Sequence, residues 1–521
     1  MHAVPSRDRR FAFAFLIAAA GVIAAPARAD IFSVTSGSWG SATTAGTLAW
    51  AIDQANNSTS SGNVISISPN LLINVDEATA LDASLDLAQF TRSVTIQGHG
   101  ATLVGNPTFV TSGGQIVTKN NPDEFVAGDI PVTPSFSFAK IGTFGQDNSG
   151  IRVVIDGLST DGLNRFGLVE AGAGLSVTSG GIVNSVNFDF GRRNITPGFE
   201  VLAGATLSLD RVVIDLAHGL TALAGGIVAG IDARIDVVSS TIRNSTSGPA
   251  IILAGGTANV VSSILDGSGG VVAVGGTLLA TGTVNVVNSV AFLAGPLSGG
   301  ANSSFVDNRF AAGAGGTINV TASTIVADLV SMSMSGSTSA ADGAPLDAAG
   351  GTIALASSAV MATVDADGLA DQIGYSATSG GVLTADGFTW VRPTLSQTAP
   401  VLRGLFSQSA LLTGSDGLAV TTLVASPLIE MSLPFPQASY PIAGGALVGV
   451  VPDADGVHAL RSPIDGSLIT LDVYGQPRTT GGLRNAGAVE VASVPEPTVS
   501  CMALAGLACG GFSMWRRRKR A

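Results

Sequence analysis

Thiols are the first thing this chain is short of. Two cysteines serve 521 residues, and both, Cys501 and Cys509, lie in an apolar stretch near the C-terminus. The body ahead of them can form no disulfide, so its stability has to come from packing and hydrogen bonding. Cations are scarce too: Lys119, Lys140 and Lys519 are the only lysines. Charged residues make up 12% of the chain, with 37 acidic against 25 basic. Phosphate recognition rests on Lys and Arg, so this balance excludes a nucleic-acid ligand. His99, His218 and His458 are far apart and suggest no metal site. No Gly-x-Ser-x-Gly, His-Glu-x-x-His or phosphate loop is present. What the chain does have is 67 glycines and a 46% share of hydrophobic residues. That much apolar surface can offset the entropy of ordering, which argues against disorder.

The two ends point to export. Residues 1–29 read as a secretory signal: Arg7, Arg9 and Arg10, an apolar run from Phe11 to Ile23, and small residues at Ala27 and Ala29 for cleavage before Asp30. Signal peptidase and the export machinery are the partners this implies. At the other end, Val494-Pro495-Glu496-Pro497 precedes an apolar stretch from Val499 to Met514, then Trp515 and the cluster Arg516, Arg517, Arg518, Lys519 and Arg520. The stretch is somewhat shorter than the ~20 residues that span a bilayer without strain, a mismatch that thinning and snorkelling arginines can absorb. The basic cluster should stay cytoplasmic, so both ends agree on one topology, with the body outside. Without the cations of signal and tail and without Asp8, 16 basic and 36 acidic residues remain, a net charge near −20 against −12 for the whole chain.

The layout of motif, short span and basic end resembles the PEP-CTERM sorting signal, over roughly the last 28 residues. The resemblance implies a single transmembrane helix in 494–521, recognition of Pro495, Glu496 and Pro497 by a membrane-embedded exosortase, and cleavage near that motif. The Gram-positive sortase motif Leu-Pro-x-Thr-Gly is missing. The expected location is the inner membrane for a time, then the cell surface or the medium.

Between the ends, residues 30–493 repeat. Two alternating apolar residues, a small polar patch and an apolar anchor recur in Leu175-Ser176-Val177 with Ile182, Leu207-Ser208-Leu209 with Ile214, and Ile235-Asp236-Val237 with Ile242. Ile318-Asn319-Val320 with Ile325 and Ile353-Ala354-Leu355 with Val360 come later, and shortened copies lie around Val260–Ile264 and Val284–Val290. The patches read Ser239-Ser240, Ser262-Ser263, Asn288-Ser289, Ala322-Ser323 and Ser357-Ser358. Alternation marks strands with one buried face, and Gly-Gly pairs such as Gly255-Gly256, Gly315-Gly316 and Gly350-Gly351 mark turns. A repeat every 22 to 35 residues suits one coil of three short strands. The expected fold is all-β, a right-handed parallel β-helix; spacing this uneven argues against propeller blades, and a sandwich is the alternative. At ~4.8 Å per coil the expected rod is about 80 Å long. The segment from Gly46 to Asn56, with Leu48, Ile52 and Ala55 on one face and Trp50 to the side, predicts a helix that caps the front. Insertions are expected at 119–150 and 331–350, and the pattern is less regular after about 361.

The closing residues Ser426-Pro427-Leu428-Ile429-Glu430, Asp472-Val473-Tyr474-Gly475-Gln476-Pro477-Arg478 and Asn485-Ala486-Gly487-Ala488-Val489-Glu490 resemble the end of bacterial choice-of-anchor Q β-helix proteins, as Thr47 to Ile52 resembles their start. Glu430 stands where Asp is usual and Asn485-Ala486 where Asp-Ile is. The resemblance implies architecture and surface placement, not a reaction.

Many parallel β-helices cleave polysaccharides, using carboxylates for Ca²⁺ with a basic residue, or two carboxylates at a set separation. The best local material is Asp210, Arg211, Asp215, His218, Asp232, Arg234 and Asp236. Placing Leu207 on Ile235 sets Asp210 beside Val238 and Asp236 beside Ser208, so the acids do not stack and solvated or turn positions suit them better. A faint likeness to a calcium loop at Asp365, Asp367 and Asp371 lacks a distal Glu, and Asp453 and Asp455 form a weaker one. The favoured reading is a non-enzymatic surface or matrix protein that serves adhesion or biofilm structure, with extracellular polysaccharide as a partner. The alternative is a β-helix polysaccharide lyase or glycoside hydrolase.

Overall fold

Strands with one apolar face have to bury it, and here each buries it against its own repeats. The computed structural model describes residues 29–75, 86–105, 137–183 apart from 162 and 164, 198–215, 226–243, 250–268, 282–293, 310–328, 346–363, 459–478 and 483–490 apart from 486, with isolated strands at 108–110, 116–118, 130–131, 271–274, 375–378, 382–385, 390–392, 429–432, 439–443 and 451–452. It is a parallel β solenoid. From Arg165 onward each coil gives one strand to a ten-stranded parallel sheet and two to a 21-stranded one, as in Ile227–Ala229, Arg234–Val238 and Thr241–Arg243.

Like residues stack along the rod. Leu175, Leu207, Ile235, Ala258, Val284, Ile318 and Ile353 are partners in successive coils. Beyond the bend, Ile182, Ile214, Ile242, Leu265, Ala291, Ile325 and Val360 form a second ladder. The first row is wholly buried, and each full-sized aliphatic contributes about 1.5–3 kcal/mol by leaving water. Strands Val382–Ala385 and Trp390–Arg392 extend the stack one rung past the last repeat legible in the sequence. Among the described residues, twelve rungs are in register from Ile31–Val34 onward, and at ~4.8 Å between rungs they span about 53 Å. The expected 80 Å was counted over all of residues 30–493, a larger span than the residues described here.

The expected insertions are also shorter than their sequence suggested. Ser137–Ile141 and Leu346–Ala349 are rungs of the ten-stranded sheet. Phe138 is fully buried and stands in an aromatic column with Phe90, Phe166 and Phe199, at centroid distances of 6.4, 5.3 and 5.3 Å. Proline and phenylalanine near Phe138 disguised a core strand as a loop. The excursion proper carries a small antiparallel sheet of Thr108–Val110, Ile116–Thr118 and Ile130–Pro131.

At the front, the helix Leu48–Asn57 buries Leu48, Ala51, Ile52 and Ala55. Thr47 caps it, its Oγ1 accepting from the Trp50 N–H at 3.4 Å. The helix takes the place of a rung beside strand Asp86–Phe90. Asn56 there acts as a substitute peptide: its Nδ2 donates to the Gln89 carbonyl at 2.7 Å and its Oδ1 accepts from the Thr91 N–H at 2.9 Å. One side chain thus satisfies backbone groups that an open sheet edge would expose.

Candidate functional site

The most specific constellation grows from the polar patches. In every patch the first residue is left-handed: Ser239, Ser262, Asn288, Ala322 and Ser357 have φ between 46 and 53°, preceded in the row by Arg211 at 55°. That conformation bends the 21-stranded sheet sharply. The second residue is a buried serine, and these link coil to coil. Ser240 N–H donates to Ser263 Oγ at 3.1 Å, Ser263 N–H to Ser289 Oγ at 3.1 Å, Ser289 N–H to Ser323 Oγ at 3.1 Å and Ser323 N–H to Ser358 Oγ at 3.2 Å. Each hydroxyl in turn donates to the carbonyl two residues back, from 2.7 Å at Val238 to 2.9 Å at Ala356. A bend in a buried sheet frees backbone groups, and a small hydroxyl is the least bulky way to satisfy them.

Residues 459–478 and 483–490, Ala486 aside, form a strap across this bent flank. Leu460 packs with Val287 and Ala322, and Ile469 lies against the same cluster. The Asn288 side chain, projecting from the bend, donates to the Leu471 carbonyl at 2.9 Å and accepts from Arg478 Nε at 3.0 Å and from its Nη2. Arg478 also donates to Glu490 Oε1 at 2.9 Å and to the Gly487 carbonyl at 3.1 Å. Asp472 closes a turn, accepting from the Tyr474 and Gln476 N–H groups at 2.8 and 2.7 Å, and its other oxygen accepts from the Glu490 N–H at 3.0 Å. Gly487 N–H donates to the Ser357 carbonyl at 2.9 Å, and Ala488 N–H to Thr324 Oγ1 at 3.0 Å. Gly487 has φ +88°, and a Cβ there would come within 2.6 Å of Thr324 Oγ1. The closing segments around Arg478 and Glu490 therefore meet in one buried knot.

Burial dominates its electrostatics. The Arg478 guanidinium is drawn down to about 10 because it is out of water, with Glu490 and Asp472 countering and Arg484 adding to the effect. Burial likewise holds the Glu490 carboxyl above its usual range, opposed first by Arg478. A buried pair of this kind is costly to assemble and costlier to break from one side.

Beside the knot, a cleft of about 590 Å³ separates the strap from the bend, with Ser239, Ser262, Ser462, Ser467, Ile464 and Ile469 among its walls. Two carboxylates line it. Asp465 accepts from Ser467 N–H and Oγ at 3.0 and 2.8 Å, bonds that hold it below its ordinary range, and Asp472 is spent on its turn. The cleft offers hydroxyl groups and aliphatic surface, and its acids are engaged in turns.

The acids picked out from the sequence are scattered as their register required. Asp210 lies beside Val238 and Asp236 beside Ser208. Asp210 pairs with its neighbour Arg211 at 3.1 Å, and Arg234 with Asp236 at 2.9 Å, both at the surface. Asp236 then accepts from Asn259, which heads a chain of amides through Asn285 to Asn319 at 2.7, 2.8 and 2.9 Å. Asp232 is a left-handed turn residue, and Asp215 is a strand residue in backbone register with Arg243 of the next coil. His99 sits at an early bend with Nδ1 2.9 Å from the Ile67 carbonyl. His218, His458, Asp365, Asp367, Asp371, Asp453, Asp455, Ala27, Pro495, Glu496, Pro497 and Arg516 to Arg520 lie outside the described residues, while Ala29 is exposed at their start. Among the described residues, no group of three or more His, Cys, Asp or Glu could hold a metal ion, and no helix is long and apolar enough to cross a membrane. The sequence did not single out Asn288, the centre of the knot; its only signal was an asparagine in a patch that is otherwise serine or alanine.

No protein-family model, curated protein or solved structure matches the chain.

Proposed function

We propose that this is an exported rod-like structural protein of the cell surface or extracellular matrix, adhesin-like in use, carried to the membrane by its C-terminal sorting tail. The observation that carries the reading is the strap fastened to the bent flank: its buried Glu490 is within seven residues of the Pro495-Glu496-Pro497 motif. A right-handed winding, as parallel crossovers favour, and one transmembrane helix in 494–521 belong to the same proposal. So do signal peptidase at Ala29 and an exosortase-type protease acting near Pro495 to Pro497. The pairing of Asp210, Arg234 and Asp236 into surface ion pairs and an amide chain supports a structural use over a catalytic one.

Two experiments test this. Deleting 494–521 should release the protein unprocessed into the medium; retention in the membrane at the same level would overturn the sorting role. Incubating the exported protein with acidic and neutral polysaccharides, with and without Ca²⁺, should leave chain lengths unchanged. Cleavage lost on changing Asp210 or Asp232 would establish a lyase or hydrolase instead.

A further inference from the structure

The strap differs from a coil in what depends on it. Coil hydrogen bonds are completed by neighbouring coils: the serine row and the amide chain both close without residues 459–490. The strap, in contrast, reaches the coils at points that do not recur, among them Asn288, Thr324 and Ser357 and one small apolar cluster. Arg478 joins all of its parts. It binds the coil through Asn288, its own second limb through the Gly487 carbonyl, and the buried carboxylate of Glu490. Without that guanidinium, Glu490 and Asn288 Oδ1 would be left buried and short of a donor, which is a strong reason to undock.

We propose that residues 459–478 and 483–490 form a releasable clasp, locked by Arg478 between Asn288 and Glu490, on the bent flank of the rod. Docking sets the reach of the C-terminal tail. From Glu490 to Pro497 the chain spans at most ~25 Å, whereas a chain free from Leu460 would span about 130 Å. The clasp rests on contacts within the body; only its consequence for processing rests on the tail reading. A docked clasp limits the sorting motif to a short reach from one flank of the rod, and a released one gives it a long tether.

The body's lack of cysteine makes a clean test. In the full chain with Cys501→Ser and Cys509→Ser, single thiols are introduced at buried Ala488, exposed Ser467 and buried core residue Val260. With Arg478 present, a maleimide should modify Ala488→Cys at least about 100-fold more slowly than Ser467→Cys, since labelling must wait for local opening. Adding Arg478→Met should bring Ala488→Cys to within roughly tenfold of Ser467→Cys while Val260→Cys stays protected. Rapid labelling of Ala488→Cys with Arg478 in place would overturn the clasp. Continued protection after Arg478→Met would overturn the lock, and exposure of Val260→Cys alongside Ala488→Cys would overturn the clasp by showing that strap and coils are one unit. If all three thiols behave as expected but deletion of 494–521 leaves the protein in the membrane, the clasp stands and the tail reading falls.

Discussion

The coils and the clasp solve the same problem, burying polar backbone on a bent surface, in opposite ways. In the coils, each role is repeated: a left-handed residue, a buried serine and an aliphatic anchor recur from Arg234–Arg243 to Thr352–Thr363. A weak copy, such as Ala258 where others have Ile or Leu, is tolerated because the rungs on either side hold the register. In the clasp nothing is repeated. Arg478, Gly487 and Glu490 each have one position and one set of partners. Redundancy makes the rod robust and its individual residues unremarkable; singularity makes the clasp fragile and its sequence conspicuous.

The comparison can be broken most forcefully in the aromatic column. Phe166→Ala should cost about 3–5 kcal/mol, because the hole is flanked by Phe138 and Phe199 and cannot collapse. Chemical denaturation should show coils and clasp unfolding earlier together. Next comes Gly487→Ala, whose Cβ would collide with Thr324 Oγ1 at a positive φ, at roughly 1–3 kcal/mol. This change should abolish amide protection at Ala488 in hydrogen exchange and leave coil protection as it was. Ser263→Ala should cost about 1–3 kcal/mol, since the Ser240 N–H loses its buried acceptor. That loss should appear in global unfolding and not in clasp opening. A smaller effect of opposite sign is expected from Ala322→Gly, which relieves a left-handed alanine and should raise coil stability by up to about 1 kcal/mol.

Acidity sharpens the contrast with the least force. The Glu490 carboxyl is raised by burial, so its contribution to docking is full at pH values below the ordinary carboxylate range and is lost as pH rises through the raised value. Lowering pH from neutral toward that range should therefore maintain or tighten the clasp. Hydrogen exchange at Gly487 and Ala488, corrected for intrinsic rate, measures this. Loosening in mild acid would mean that the ion pair with Arg478 outweighs the desolvation of Glu490.

Much of the rod was legible in the chain because period-two alternation is local: Leu207-Ser208-Leu209 and Ile235-Asp236-Val237 state which face is buried and which register pairs them. That register by itself keeps Asp210 and Asp236 on separate rows. The patches were visible as small polar pairs, but their division of labour was not. Whether a serine is buried or turned out depends on the backbone angle of the residue before it, which composition does not encode. Phe138 was misplaced because a column of rings is a contact between coils, and only its neighbours Phe90 and Phe166 reveal it.

The near absence of cysteine is a property of sequence alone, as are the chain's acidity, its terminal motifs and its alternating strands. These arise from residue types and spacing, and they decided that the body must hold itself together without disulfides. How it does so was decided by tertiary structure. Asn288 and Arg478 lie 190 positions apart, a separation across which no periodicity carries information, and only the stacking of coils brings the bend within reach of the guanidinium.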